Sequence, residues 1–237
     1  MKKKIYISSS LNTYPWKGRF DKEWIKYRID IFMKYTLKSL KAQINQDFTA
    51  TYMYHEKTED IVKEYLDKYD KLPYNIRFIR KTDYKSDIEK EIQGYDYLYL
   101  ARLDTDDMYH KTYTQQLHEY NPKQNTIVLV NQEGYLYDSN AERLGKYHHP
   151  SPPFFTLIYK VEDYLAGNRY KLINGHPGAI KLPHEVIKKR NFLWHVHSKN
   201  TADALAKFKP IKEKDIITDS SEVKKILSEF MGDIVYK

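Results

Sequence analysis

The sequence predicts an α/β fold with a mostly parallel N-terminal sheet and a mixed C-terminal half. Three observations predict it. Short apolar runs alternate with amphipathic stretches through the first hundred residues, and the fourth such run ends directly in a cluster of carboxylates, Asp104, Asp106 and Asp107. Beyond residue 120 the texture changes to shorter runs broken by Gly and Pro. Strand–helix alternation of this kind builds a parallel sheet covered by helices.

Lys4–Ser8 reads as the first strand, and a polar loop, Ser9–Asp21, follows with Pro15 and Gly18. Lys22–Gln43 reads as a helix, because Trp24, Tyr27, Ile31 and Tyr35 recur near helical spacing. Phe48–Tyr54, Tyr74–Arg80 and Tyr95–Ala101 read as strands, separated by helices at Glu59–Tyr69 and Ser86–Gln93. Thr126–Asn131 and Tyr135–Asp138 flank Gln132-Glu133-Gly134 and read as a hairpin. Phe154–Lys160 and Leu193–Val196 read as further strands. At the end, Asp219 caps a helix whose Val223, Ile226, Leu227 and Phe230 form one apolar stripe. The expected organisation is one domain, with a nucleotide-binding half at 1–120, an acceptor-side half at 121–214 and a C-terminal helix at 215–237.

The 237 residues suffice for a substantial core, and 41% hydrophobic with 15% aromatic content argues against disorder. With no cysteine, disulfides and thiolate metal sites are excluded. The start, Met1–Ile7, has an apolar stretch too short for a signal peptide, and no run reaches the roughly 20 apolar residues of a membrane span. The expectation is a cytoplasmic protein, soluble or peripheral at the inner membrane face. The net charge of +8 includes nine Lys/Arg against three Asp/Glu over 181–214. Such a surface suits polyanions: a pyrophosphate, nucleic acid or an anionic membrane.

The informative segment is the end of the fourth strand, Arg102-Leu103-Asp104-Thr105-Asp106-Asp107. Three like charges this close repel, and a divalent cation would relieve them. Hard oxygen ligands at a strand end suit Mn2+ or Mg2+, which keep positions open for phosphate oxygens. Arg102 would add a charge-assisted contact to a carboxylate or phosphate. The competing reading is an acidic turn capping the next helix, with Asp107 near its N-terminus. The loop Ser8–Leu11, Ser9 included, is the natural place for a nucleotide's base and ribose, because ligands bind beyond the carboxyl ends of parallel strands.

Three separated motifs carry a family resemblance. Trp24, Arg28, Ile31 and Phe32 match a W-x3-R-x2-[IL]-F helix, Thr36–Gln43 reads TLKSLKAQ, and Trp194–Asn200 reads WHVHSKN. Together with the acidic cluster, the chain resembles GT-A-type glycosyltransferases, and among them the bacterial rhamnosyltransferase-like group, over residues 4–202. Ser198 departs from the glycine of that pattern. The resemblance implies a metal-dependent transferase, inverting, that moves a sugar from a UDP-, GDP- or dTDP-sugar to an acceptor glycan or glycolipid. It implies Asp104, Asp106, Asp107 and His197 as metal ligands, and Ser9, Arg28, Asp83, Arg102, Asp104 and Lys199 on the donor. His195 and His197 alternate with Trp194 and Val196, so both should face one side of a strand. For the catalytic base, Asp163 and His176 are the candidates. Other readings of the same residues are a transferase acting on nucleic acid, such as phage DNA, and a non-catalytic nucleotide-sugar-binding module. A metal-dependent nuclease is disfavoured by the lack of a second acidic cluster.

Overall fold

The computed structural model describes residues 2–198, 200 and 211–233. The first half follows the expected alternation: β1 (Lys3–Ser10), α1 (Lys22–Ile31), α2 (Leu37–Lys41), β2 (Thr49–Tyr54), α3 (Glu59–Leu66), β3 (Ile76–Arg80), α4 (Tyr84–Glu91) and β4 (Tyr97–Arg102). β5 (Met108–Tyr109), α5 (Tyr113–Glu119), β6 (Val128–Val130), β7 (Glu133–Asp138), β8 (Arg143–His148), β9 (Phe155–Lys160) and α6 (Val161–Leu165) follow. β10 (His184–Val186), β11 (Arg190–Val196), β12 (Ile216–Ile217) and α7 (Ser220–Met231) complete the described chain.

Two sheets result. The larger has the order β10-β6-β9-β4-β1-β2-β3, and within it only β9 runs against its neighbours. This is the mostly parallel α/β arrangement that the sequence predicts. β1 is buried on both faces. Ile5 and Ile7 pack into the core with Phe32 and with Leu40 of α2, and Tyr6 packs on the opposite side with Leu98. Burial on both faces is what a central parallel strand requires, and it explains the continuous apolar run.

The smaller sheet has the order β12-β8-β7-β11-β5. Here one expectation fails. Thr126–Asn131 and Tyr135–Asp138 do not form a hairpin, because β6 lies in the large sheet and β7 in the small one. β7 instead turns back onto β8, pairing Tyr137 with Leu144 and Asp138 with Arg143, and it runs parallel to β11 on its other side. The Gln132-Glu133-Gly134 segment is thus a crossing between sheets.

Helix α1 begins where Asp21 accepts a hydrogen bond from the Trp24 N–H (2.6 Å). The helix expected through Gln43 is continuous but locally unwound, since Phe32–Thr36 form a π turn between α1 and α2. Such turns rotate the residues after them relative to those before. α7 is capped as expected, by Asp219 accepting from the Glu222 N–H (2.8 Å), and it buries Val223, Leu227 and Phe230 against the small sheet. Among the described residues no helix is long and apolar enough to cross a membrane.

Candidate functional site

The acidic cluster lies in the loop between β4 and β5, beyond the carboxyl ends of β1 and β4. Its carboxylates do not crowd one another, because each has its own partner. Asp104 is gripped by the Arg102 guanidinium (3.1 and 2.9 Å) and also accepts from the Ser9 hydroxyl (2.5 Å). Asp106 meets Arg28 Nη1 at 2.5 Å and His197 Nε2 at 3.1 Å, with the Asn200 amide at 3.4 Å. Asp107 turns the other way and accepts the backbone N–H of His195 on β11 (3.0 Å).

Burial alone would raise the Asp106 pKa. The adjacent Arg28 charge and the hydrogen bonds from His197 and Arg28 outweigh it, so the carboxyl stays ionised well below the usual range. His197 is held from its other ring nitrogen by the Tyr27 hydroxyl (3.0 Å), and its backbone N–H donates to the Asn200 side chain (2.6 Å). His195 shares its face but not its surroundings. It is buried between Tyr35 and Tyr137 and hydrogen-bonds Ser139. Burial, with His197 nearby, pushes its pKa down to about 3, so it stays neutral.

The helical segment after Arg28 fastens the loop's backbone. Arg28 Nη2 donates to Thr105 Oγ1, and Thr36 Oγ1 donates to the Asp107 carbonyl (2.9 Å). Ser39 both donates to the Tyr109 carbonyl (2.8 Å) and accepts from its N–H (3.0 Å), while Gln43 donates to the His110 carbonyl (3.0 Å). Thr36, Ser39 and Gln43 come from the TLKSLKAQ segment. Sequence reading found the motif but assigned it no role.

Two adjoining cavities open at this end of the large sheet. The first, about 490 Å³, contains Arg28, Arg102, Asp104 and Asp106 with Asn12, Asn200, His176 and the rings of Tyr14, Trp16, Trp24 and Trp194. The second, about 380 Å³, lies past β1, β2 and β4, with Ser8–Ser10, Met53, Leu100 and Leu157 on its walls and Lys81 at its side. Ser10, Tyr14 and Arg102 belong to both. Their volumes fall in the range of small-molecule sites, roughly 300–1,000 Å³.

The expected residues therefore divide. Ser9, Arg28, Arg102, Asp104, Asp106, His176 and His197 come together. The loop of His176 is tightly closed, since a side chain at Gly178 would strike the Ile173 carbonyl at 2.3 Å, and Ser151 donates to the His176 carbonyl (2.9 Å). Asp107 borders the first cavity yet is only 1% exposed, its carboxylate engaged with β11. Two expectations are corrected. Asp163 is exposed on α6, past Lys160, which pairs with Tyr97 at the amino end of β4, so it stands at the wrong end of the sheet for a base. Asp83 is held in a fork by Arg80 (2.8 and 3.2 Å) and lines neither cavity; Lys81 of the same segment does. Lys199 lies outside the described residues. Sequence reading also missed Tyr27 as the support of His197. It precedes Arg28 inside the W-x3-R segment, but nothing in its spacing marks it apart from the core tyrosines.

As a metal site the donor set is open rather than closed. Among the described residues no group of three or more His, Asp or Glu side chains is arranged to hold an ion. Asp106 Oδ2 and His197 Nε2, 3.1 Å apart, hydrogen-bond each other here, and Arg28 Nη1 meets the same oxygen at 2.5 Å. Mg2+ and Mn2+ commonly take few protein ligands and fill the rest of the shell with water and substrate phosphate, so an ion held by this pair would have to displace Arg28 and the imidazole proton from Asp106.

A family model described as putative rhamnosyl transferase matches residues 16–142, more than half of the chain. No curated protein matches. Among solved structures, the chain is similar to S. aureus TarS in complex with UDP-GlcNAc, at 11% identity and a TM-score of 0.45, covering 97% of this chain and 71% of that one. It covers 43% of a longer TarS structure. A protein described as a putative nucleotide-diphospho-sugar transferase from Desulfovibrio desulfuricans G20 gives 14% identity, 98% coverage of both chains and a TM-score of 0.35. A cytidylyltransferase from Leptospira borgpetersenii gives 14% identity, full coverage of both and 0.41. With every TM-score below 0.5, the family match alone carries weight.

Proposed function

This chain belongs to the putative rhamnosyl transferase family, and from that premise we propose that it moves a sugar from a nucleoside-diphosphate donor to an acceptor hydroxyl on a glycan or glycolipid. One observation carries the reading. Arg28, Asp106 and His197, drawn from three distant stretches of the chain, meet beyond the strand ends, with Arg28 and Asp106 lining a cavity and His197 bonded to Asp106. A buried cation, an ionised carboxylate and an imidazole so assembled form a site for a diphosphate.

The second cavity would take the base, whose flat faces suit the apolar walls at Met53, Leu100 and Leu157. Asp104, in the first cavity and oriented by Ser9 and Arg102 on the wall of the second, would meet the ribose hydroxyls. Asp106 and His197 would hold Mn2+ or Mg2+, Mn2+ being the better match for an imidazole. When bound, that ion would supply charge neutralisation for the leaving diphosphate. Arg28 would share that task directly, as a fixed cation in a water-poor site, where a preorganised charge acts most strongly. His176 enters the same cavity from the second half of the chain and would accept the proton of the acceptor hydroxyl as that oxygen bonds to the anomeric carbon and the diphosphate leaves from the opposite face, an inverting displacement.

The test is nucleoside-diphosphate release from a panel of UDP-, GDP- and dTDP-sugars with Mn2+ and saccharide acceptors. One nucleotide class should support release and also raise the thermal midpoint, since donor at 100 times its Kd stabilises by about 2.7 kcal/mol. Neither release nor stabilisation with any donor would refute the reading.

A further inference from the structure

The loop between β1 and α1 is built around one indole. The Trp16 carbonyl accepts from the Arg19 N–H (3.3 Å) and the Gly18 carbonyl from the Asp21 N–H (3.0 Å), so two linked turns lead into the cap of α1. The Trp16 ring lies across Gly18. A β-carbon there would sit 2.3 Å from a ring carbon, and only glycine lets the ring settle. Trp24 braces the ring edge-to-face, with centroids 4.9 Å apart and planes at 69°. Yet Trp16 is 40% exposed, and it borders the same cavity as Asp106. An indole fixed this firmly and left half open is a contact surface prepared in advance, since its ordering entropy is already lost before a ligand arrives.

Its place in the cavity indicates what it would contact. The Arg28 guanidinium lies 5.7 Å from the Trp24 ring centroid, so a line runs outward from Asp106 through Arg28 and Trp24 to Trp16. Asp106 and Arg28 are buried at 8% and 7% exposure, and Trp16 is at the solvent end. The inner end has the charges that suit a diphosphate. The outer end is where a molecule entering from solvent would arrive. A pyranose ring presents a face of C–H bonds and a rim of hydroxyls. The face can pack on an indole, and the rim can reach polar groups such as Asn12 and His176, which border the cavity. A nucleobase has its own apolar slot in the neighbouring cavity.

We propose that Trp16, backed by Trp24, is the stacking platform for a pyranose ring of a saccharide acceptor. This rests on the donor reading above, and it narrows the acceptor to a carbohydrate that stacks at the cavity mouth.

The test titrates methyl α-glucopyranoside, galactopyranoside and rhamnopyranoside by ligand-observed NMR into wild type, Trp16→Ala and Gly18→Ala. UDP, GDP and dTDP are titrated in parallel. Trp16 is exposed, so its alanine variant should fold, and Gly18→Ala displaces the ring while keeping it. At least one glycoside should bind wild type, and both variants should weaken it by about tenfold, the scale of losing one aromatic stacking partner. Nucleotide binding should change less than twofold. Glycoside binding that is unchanged in both variants, or absent from wild type at any soluble concentration, would overturn the platform. So would loss of nucleotide rather than glycoside binding in Trp16→Ala, because the indole would then be stacking the base. If wild type binds glycosides but no nucleotide, the donor reading fails and the platform stands.

Discussion

The loop from Asp104 to Asp107 has two faces, and adjacent carboxylates occupy them. On the cavity face, Asp106 meets a guanidinium, an imidazole and an amide, all side chains. On the buried face, Asp107 accepts a backbone N–H from β11, and its own carbonyl accepts from Thr36. One carboxylate faces the cavity and the other ties two parts of the fold together. Like-charge repulsion, which read from sequence alone calls for a cation, is already relieved within the chain by Arg102, Arg28 and the β11 backbone. In the proposed reaction a metal would then serve the chemistry and not the fold.

Substitutions on the buried face sharpen that contrast. Asp107→Ala would strand the His195 N–H inside the core, and the expected loss is about 3 kcal/mol of unfolding free energy by urea denaturation. Its turnover per folded molecule should fall less than that of Asp106→Asn. A variant as stable as wild type and as inactive as Asp106→Asn would erase the distinction between the faces. Smaller effects should follow from the residues that fasten the loop. Ser39→Ala removes a donor and an acceptor from Tyr109 and should cost about 2 kcal/mol, while Thr36→Val removes one donor and should cost about 1 kcal/mol. Denaturation curves of the two single variants measure both, and equal or reversed costs would mean that these bonds do not hold the loop as described.

The first half of the chain was legible because its signals are local. Tyr97–Ala101 is a continuous apolar run, as a strand covered on both faces must be, and the cluster of Asp104, Asp106 and Asp107 begins where the strand stops. The second half depends on pairing between distant segments. Nothing near Glu133 says that its strand leaves the large sheet, because its partners are Arg143–His148 and Arg190–Val196. The same limit explains the candidate bases. Asp163 and His176 are thirteen positions apart, and only the direction of β9 puts one at the far end of the sheet and the other in the cavity. Arg28 and His197 were reached through motif resemblance. Neither spacing nor composition gives a reason for a helix residue to meet a residue just past a strand, 169 positions away.

The central claim is that the cavity face of the loop, through Asp106, acts on the donor's diphosphate. Nucleoside-diphosphate release by Asp106→Asn, against wild type at matched folded concentration and with Mn2+ present, tests it most directly. Turnover should fall by about 10²-fold or more, the scale of losing one electrostatic stabiliser. Release at the wild-type rate from a folded Asp106→Asn protein would contradict it.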